Sequence, residues 1–515
     1  MPSIPTVTIS VQDNGASAAL AVAASNIQLV VGCAVGGTVN QPFATTNPTA
    51  IQTNFIGGPL VESAGLVAQA GNVALCVSAP IVTKGTVTAV VPTVPGGSTS
   101  TLTVTADTVN GAWDDYYVMV KCVTGGTIGT APGPTIQVSL DAGRNWGTPI
   151  SLGAATTLVL GAAWNPVTIG GTGLTLNFAA GNQVAGDFWR FSARAPTWND
   201  AGIQAAIAAF MASQYAVAGV GSIHIVGAVP INGGSGNSDI TTVQTALNTG
   251  TNGYVYERAI LEAADAYAPV AWGGSADTEV AWMGRLTTIA AGSTAQPRIT
   301  LDAGYYNTPS PYASPAGGLP AYRRPGAWSH AVRRTQVPLQ RRAGRVKDNP
   351  LSTIVVSPAV DPTDGFVYHD ERVNPGLNTA RIGSMMTWPK KGAGFFVCQE
   401  PLLSAPGSQF VELVIGNVLD AACNIVYAAG AEYVSDDLLL TSTGALDPVA
   451  LKMMLGNIQQ ALNQGMVATP LVSSVTASIS PVWNVGATGQ IPVVVSVMPR
   501  GYVNAVVGTV TLNVA

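Results

Sequence analysis

Ile27-Gln-Leu-Val-Val-Gly-Cys-Ala-Val35 is a nearly continuous apolar run, the pattern of a strand buried on both faces. A polar loop follows, and Thr53-Asn-Phe-Ile-Gly-Gly-Pro-Leu60 turns the chain into Val61-Glu-Ser-Ala-Gly-Leu-Val-Ala-Gln-Ala70, which suits a helix. Gly71 and Asn72 end it, and Val73-Ala-Leu-Cys-Val77 is a second apolar strand. Strand, helix and strand make a βαβ unit, which predicts a parallel pair in an α/β core. Such a unit fixes no function by itself.

Outward from this unit, taken as residues 26–83, the texture of the chain changes several times. Residues 1–25 are rich in Ser, Ala, Val and Thr and alternate at Thr6-Val-Thr-Ile-Ser-Val11, which predicts an N-terminal arm with one strand. From about Lys84, short alternating runs recur at Thr86–Val91, Thr101–Thr105, Tyr116–Val123 and Ile136–Leu140, so residues 84–190 are expected to form an inserted all-β sandwich. Helical periodicity returns at Asn199–Phe210, with Asn199 or Asp200 as N-cap. Gly221–Gly227 reads as a strand, and Ile240–Leu247 and Glu257–Ala266 as helices, within a middle α/β domain spanning 191–365. Residues 366–490 read as a C-terminal α/β core domain. Phe395–Cys398 is its strand, a long helix opens at Phe410, and a second, capped by Asp447-Pro448, carries Leu451, Met454, Ile458 and Leu462 to a stop at Gly465. Residues 491–515 read as a C-terminal β arm. The expected class is a multidomain α+β or α/β fold, with a core built from N- and C-terminal parts, an inserted all-β sandwich and extended terminal arms.

At 515 residues the chain exceeds one hydrophobic core. Charged residues are 10% of it, against about 25% in ordinary soluble domains. So little charge predicts that much surface is covered by other copies. No run approaches 18 strongly apolar residues, so no membrane insertion is expected. The N-terminus lacks a basic leader region, which predicts assembly in the cytoplasm of the producing cell. A formal net charge of −5 argues against general nucleic-acid binding.

Residues with chemistry are sparse. The five cysteines show no CxxC spacing; Cys33, Cys76, Cys398 and Cys423 read as buried, and Cys122 as a candidate exposed thiol. Of three histidines, His224 reads as a core residue and His330 lies among arginines. His369-Asp-Glu371 has the residue types of a metal or acid/base trio, but adjacent residues point to different sides. Asn232–Asn237 lacks the Lys-Ser/Thr of a phosphate loop, no GxSxG occurs, and nothing selects a carboxylate pair among Asp364, Asp370 and Glu371. The expectation is no catalytic, cofactor-binding or metal-binding residue, and no enzyme.

One anomaly stands out in the charge pattern. Arg323, Arg324, Arg333, Arg334, Arg341, Arg342, Arg345 and Lys347 are eight of the 22 basic residues, and no acid lies between Asp302 and Asp348. Two readings are open: a loop whose arginines pair with distant acids of the same fold, or a contact surface for an acidic tube or neighbouring subunit.

The phrases Phe55-Ile-Gly-Gly-Pro-Leu-Val-Glu62 and Gly71-Asn-Val-Ala-Leu-Cys-Val77 resemble the N-terminal core of contractile tail sheath proteins from bacteriophages (myophages) and related contractile injection systems. Val367–Ile382 and the ending, Val493–Pro499 followed by Val503–Val514, are similar to segments of the same family. The resemblance covers 1–83 and 197–515 and excludes 303–350. It implies a structural subunit that polymerises helically around a tail tube and contracts to drive it through a host envelope, in the virion tail, with tail tube, baseplate and terminator proteins as partners. It implies that terminal arms add strands to sheets of neighbouring subunits. Val7, Ile9, Val11, Val493, Val495, Val497, Val510 and Leu512 would be interface residues, and the sheet around Phe395 and the βαβ unit the acceptors. Two alternatives are another self-assembling tail or surface-layer protein and a carbohydrate-active tail component.

Overall fold

The computed structural model describes residues 27–160, 171–229, 237–265, 269–273, 278–312, 321–355, 365–405 and 407–502. Val7, Ile9, Val11, Val510 and Leu512 therefore lie outside the described residues. The chain divides into two units, one ending at Gly416 and one beginning at Asn417.

The first unit is organised on a mixed six-stranded sheet. The chain enters through β1 (Ile27–Cys33), adds the short β2 (Phe43–Thr45), passes through α1 (Pro59–Gln69) and returns in β3 (Val73–Ala79), the expected βαβ unit. After an antiparallel region the chain rejoins the sheet through α2 (Asp200–Met211) and β4 (Ser222–Val229), α3 (Asn237–Asn252) and β5 (Ala259–Ala263), and α4 (Glu279–Ala291) and β6 (Ile299–Asp302). The order is β6-β5-β4-β1-β3-β2, parallel except at β2. Leu29 and Val31 face one apolar cluster, with Ile203, Ile207 and Leu247, and Val30 faces another, with Val61 and Val67. Burial on both faces explains why β1 reads as a continuous apolar run.

Asn199 caps α2 by accepting from the Gly202 amide. The expected helix over 257–266 is instead β5, whose five residues are all buried. A short apolar run carries no period that separates strand from buried helix, and position in the sheet overrides the helix propensity of Ala, Leu and Glu. β4 bulges between Ile225 and Ala228. The freed groups are taken by side chains: Trp198 Nε1 donates to the Val226 carbonyl at 2.8 Å, and Glu262 accepts from the Gly227 amide at 3.0 Å.

Between β3 and residue 200, strand Tyr116–Thr124 lies between Phe188–Arg194 and Thr135–Ser139 in an antiparallel sheet. A second antiparallel sheet runs Thr157–Leu160, Leu174–Phe178, Leu102–Ala106. Gly85 and Gly111 meet where the chain enters this region; a Cβ on Gly85 would overlap the Ala112 carbonyl oxygen, so only glycine fits.

The rest of the first unit is a hairpin of β7 (Tyr305–Pro309) and β8 (Ala321–Pro325), the buried helix α5 (Gly326–Gln336), and a small hairpin of β9 (Met385–Thr387) and β10 (Phe395–Val397). α6 (Leu413–Ala431) is long and apolar enough to cross a membrane by length and composition, although no run of 18 strongly apolar residues lies in it, and 56% of its most apolar stretch is buried in the protein.

In the second unit, α7 (Pro448–Leu462) is capped by Asp447 as expected and runs into a single π turn at Asn463–Val467, so the helical path ends two residues past Gly465. It packs against a hairpin of β11 (Ser474–Ile479) and β12 (Val493–Met498). Val493, Val495 and Val497 are therefore paired inside their own chain, and the expected arm from residue 491 is corrected: that pairing runs to Met498.

Candidate assembly interface

Most of the arginine cluster lies inside the first unit. β8 carries Arg323 and Arg324 toward opposite faces, as successive strand residues must. Arg323 Nε donates to Asp265 at 2.8 Å, and its guanidinium lies against the rings of Phe366 and Tyr368. Arg324 Nε donates to Glu62 at 2.6 Å, with Asp114 at 3.5 Å. Burial first, and then the Glu62 charge, push the Asp114 carboxyl up to about 8 against the pull of Arg324. On α5, Arg333 donates to the carbonyls of Asp348, Asn349 and Pro350, and Arg334 to those of Leu339 and Arg341. These two buried side chains hold the loop that follows their own helix. The contact reading is thus corrected for Arg323, Arg324, Arg333 and Arg334, because buried cations paired within the chain have no surface to offer. Arg342 is half-buried against Glu412. Arg341 and Arg345 share Asp348, and Lys347 is exposed.

The three histidines are all buried and partnered. His224 lies between Ser63 and Glu262, each at 3.0 Å, as a core residue should. His330 lies between Asp302 at 2.5 Å and Glu400 at 2.8 Å, with Arg334 3.6 Å from the same Glu400 oxygen. Burial disfavours its imidazolium, but the two carboxylates outweigh that and raise it to about 9. His369 joins Glu279 and Glu371 at 2.9 and 3.0 Å, while Asp370 turns the other way to Thr387. Residues two apart share a side, which the sequence reading of this trio overlooked. Among the described residues no group of three or more His, Cys, Asp or Glu side chains has metal-holding geometry. A cavity of about 10 Å³ beside Asp265, Glu279 and His369 has room for one water. Cys122 is buried, not exposed, and burial pushes its thiol up to about 11; Cys398 is half-buried.

The second unit presents a sheet edge. Two strands alone are marginal, and here Met454, Ile458 and Leu462 of α7 back them with Val475, Ile479 and Val497. Gln459 of α7 accepts from the Ala477 amide at 2.7 Å and donates to the Val475 carbonyl at 3.0 Å. In an antiparallel ladder alternate residues turn their amide and carbonyl to one side. Val475 and Ala477 therefore face away from β12, and Gln459 occupies that outer edge. The outer edge of β12, formed by the backbone of Val493, Val495 and Val497, has no strand beside it among the described residues.

No protein-family model matches the sequence, and no curated protein matches it. The fold has solved counterparts. The sheath complex PVC of an extracellular contractile injection system, in its contracted state, matches 100% of this chain and 99% of that chain, at 9% identity and a TM-score of 0.50. The contracted helical sheath of the anti-feeding prophage matches over 100% of both chains at 10% identity and a TM-score of 0.45. The sheath tail protein of Desulfitobacterium hafniense matches over 96% of this chain and 99% of that one, at 10% identity and a TM-score of 0.43. At such identities a likeness concerns fold, and the first of them spans the molecule from end to end: this chain has the fold of a contractile sheath subunit.

Proposed function

We propose that the protein is the structural subunit of a contractile tail sheath, polymerising helically around a tail tube and contracting to drive that tube through a host envelope. The observation that carries the reading is the end-to-end match to a contracted sheath at a TM-score of 0.50. The open edge of β12 supports it, since an unpaired strand is a template for a strand from another copy. In this reading the hairpin, rather than the sheet around Phe395 or the βαβ unit, is the acceptor. Residues 1–25, with Val7, Ile9 and Val11, and residues 499–515, with Val510 and Leu512, are the donated arms. Residues 84–190 form the inserted, outward-facing β domain. Tail tube, baseplate and terminator proteins are the partners, with assembly in the host cytoplasm and no cofactor. Contraction would be a rigid-body change of packing while the arms keep subunits linked.

The test is negative-stain electron microscopy of the purified chain at high concentration. Hollow, helically striated cylinders are expected. A uniform monomer or small closed ring would overturn the reading.

A further inference from the structure

The chain holds few charges, so exposed ones without partners are informative. On the first unit, Arg333 fixes the 338–350 loop, and that loop lies along β10, with the Leu351 amide donating to the Phe395 carbonyl at 2.8 Å. The loop meets the β9–β10 turn where Pro350 packs on Gly394; Arg345 and Lys347 on the loop and Trp388, Lys390 and Lys391 on the turn are all exposed. Asp348 is the carboxylate paired on this surface, and it serves Arg341 and Arg345. Among the described residues no acid pairs with Lys347, Lys390 or Lys391.

The second unit carries the opposite charge. From Asn417 to Ala515 there are five acids (Asp420, Glu432, Asp436, Asp437, Asp447) and two bases (Lys452, Arg500). Glu432, Asp436 and Asp437 are exposed just beyond the C-terminal end of α6, whose last turn holds no basic residue. Carboxylates are disfavoured at the negative end of a helix dipole, and a cation placed there relieves both charges. Among the described residues none of the three has an ion-pair partner. Leu439, next to these acids, is 74% exposed, as Trp388, next to the lysines, is 38% exposed. A basic surface with an exposed ring and an acidic surface with an exposed leucine complement each other in charge and in apolar content.

We propose that the Lys347–Lys390–Lys391 surface of one copy docks the Glu432–Asp436–Asp437 surface of the next, as a contact between copies additional to strand exchange. The proposal rests on the sheath reading only in taking a second copy of this chain as partner. The paired charges set orientation and speed of encounter more than final affinity.

The test uses full-length chains, each first shown by circular dichroism to melt like the native protein. Lys347→Glu with Lys391→Glu reverses one surface; Lys390 is left because its φ of 65° makes any change there a backbone question. Asp436→Lys with Asp437→Lys reverses the other. Each reversed chain alone is expected to need about tenfold more protein to assemble at low salt. An equimolar mixture of the two, and the chain carrying all four substitutions, are expected to assemble like the native protein. Recovery in the mixture requires the contact to lie between copies. Reversed chains that assemble normally, or a mixture that fails to recover, overturn the proposal. Failure of the native chain to assemble would instead count against the sheath reading itself.

Discussion

His330 is the side chain whose surroundings say most about how this molecule holds its core. It sits between Asp302 on β6 and Glu400, with Arg334 one helical turn further along α5 touching the same Glu400 carboxylate. Its folded value near 9 stands above the ordinary 6.5, so the stability it contributes is complete below pH 6.5 and is lost as pH rises through 9. Glu400 moves the other way: burial opposes its charge, but Arg334 and His330 hold it down at about 2, so its contribution is present above 4.5 and is lost as pH falls toward 2. The core is therefore expected to be steadiest between about pH 4.5 and 6.5. Thermal melts from pH 6.5 to 9.5 should show a decline of up to about 3 kcal/mol from this histidine. His330→Gln should remove that part of the slope, and an unchanged slope would refute the assignment. Pairing of the arginines with distant acids is one of the readings the sequence leaves open, but which acids take part is not legible in it. Glu62 lies 262 positions from Arg324, and Glu400 lies 70 from His330, so a cluster without a nearby acid is neutralised by acids the fold brings in. Spacing along the chain shows the excess of arginine and hides where it is cancelled.

At the scale of elements, the C-terminal hairpin can be dissected by its hydrogen-bond parity. Val495 turns its amide to the open edge of β12, whereas the neighbouring Ser496 turns its amide toward β11. Proline lacks that amide and is tolerated on edge strands at positions that face outward. Val495→Pro should leave the hairpin folded and block addition of a further strand. Ser496→Pro should cost a ladder bond and unfold the hairpin. Circular dichroism together with a sedimentation assay of assembly separates the two, and a Val495→Pro chain that polymerises normally would exclude this edge as the acceptor. The elements themselves differ in how openly the sequence announces them. β1, α2 and α7 are legible because a doubly buried run, a capping residue at Asn199 or Asp200 ahead of a helical period, and an Asp447-Pro448 start each point to one kind of element. β5 is not, because a short run of Ala, Ile, Leu and Glu has no period of its own. β12 is recognised as a strand, but its partner is a matter of tertiary packing, and a strand near a chain end reads equally well as an arm.

For the whole molecule, removing residues 499–515 should leave both units folded, since the pairing of β12 ends at Met498, and should abolish polymerisation. Cylinders persisting after that deletion, by electron microscopy, would remove the arm from the proposed assembly. The scarcity of charge, legible from composition alone, fits a subunit covered by its own copies. The Gln459 side chain carries one more implication. Because it stops the sheet on the β11 side, the sheet can lengthen only from β12 outward. A first incoming strand would lie on the hairpin, and a second would have to lie on the first. Strands would then be acquired in a fixed sequence and released in the reverse one, giving the joint between subunits a built-in hierarchy of attachment.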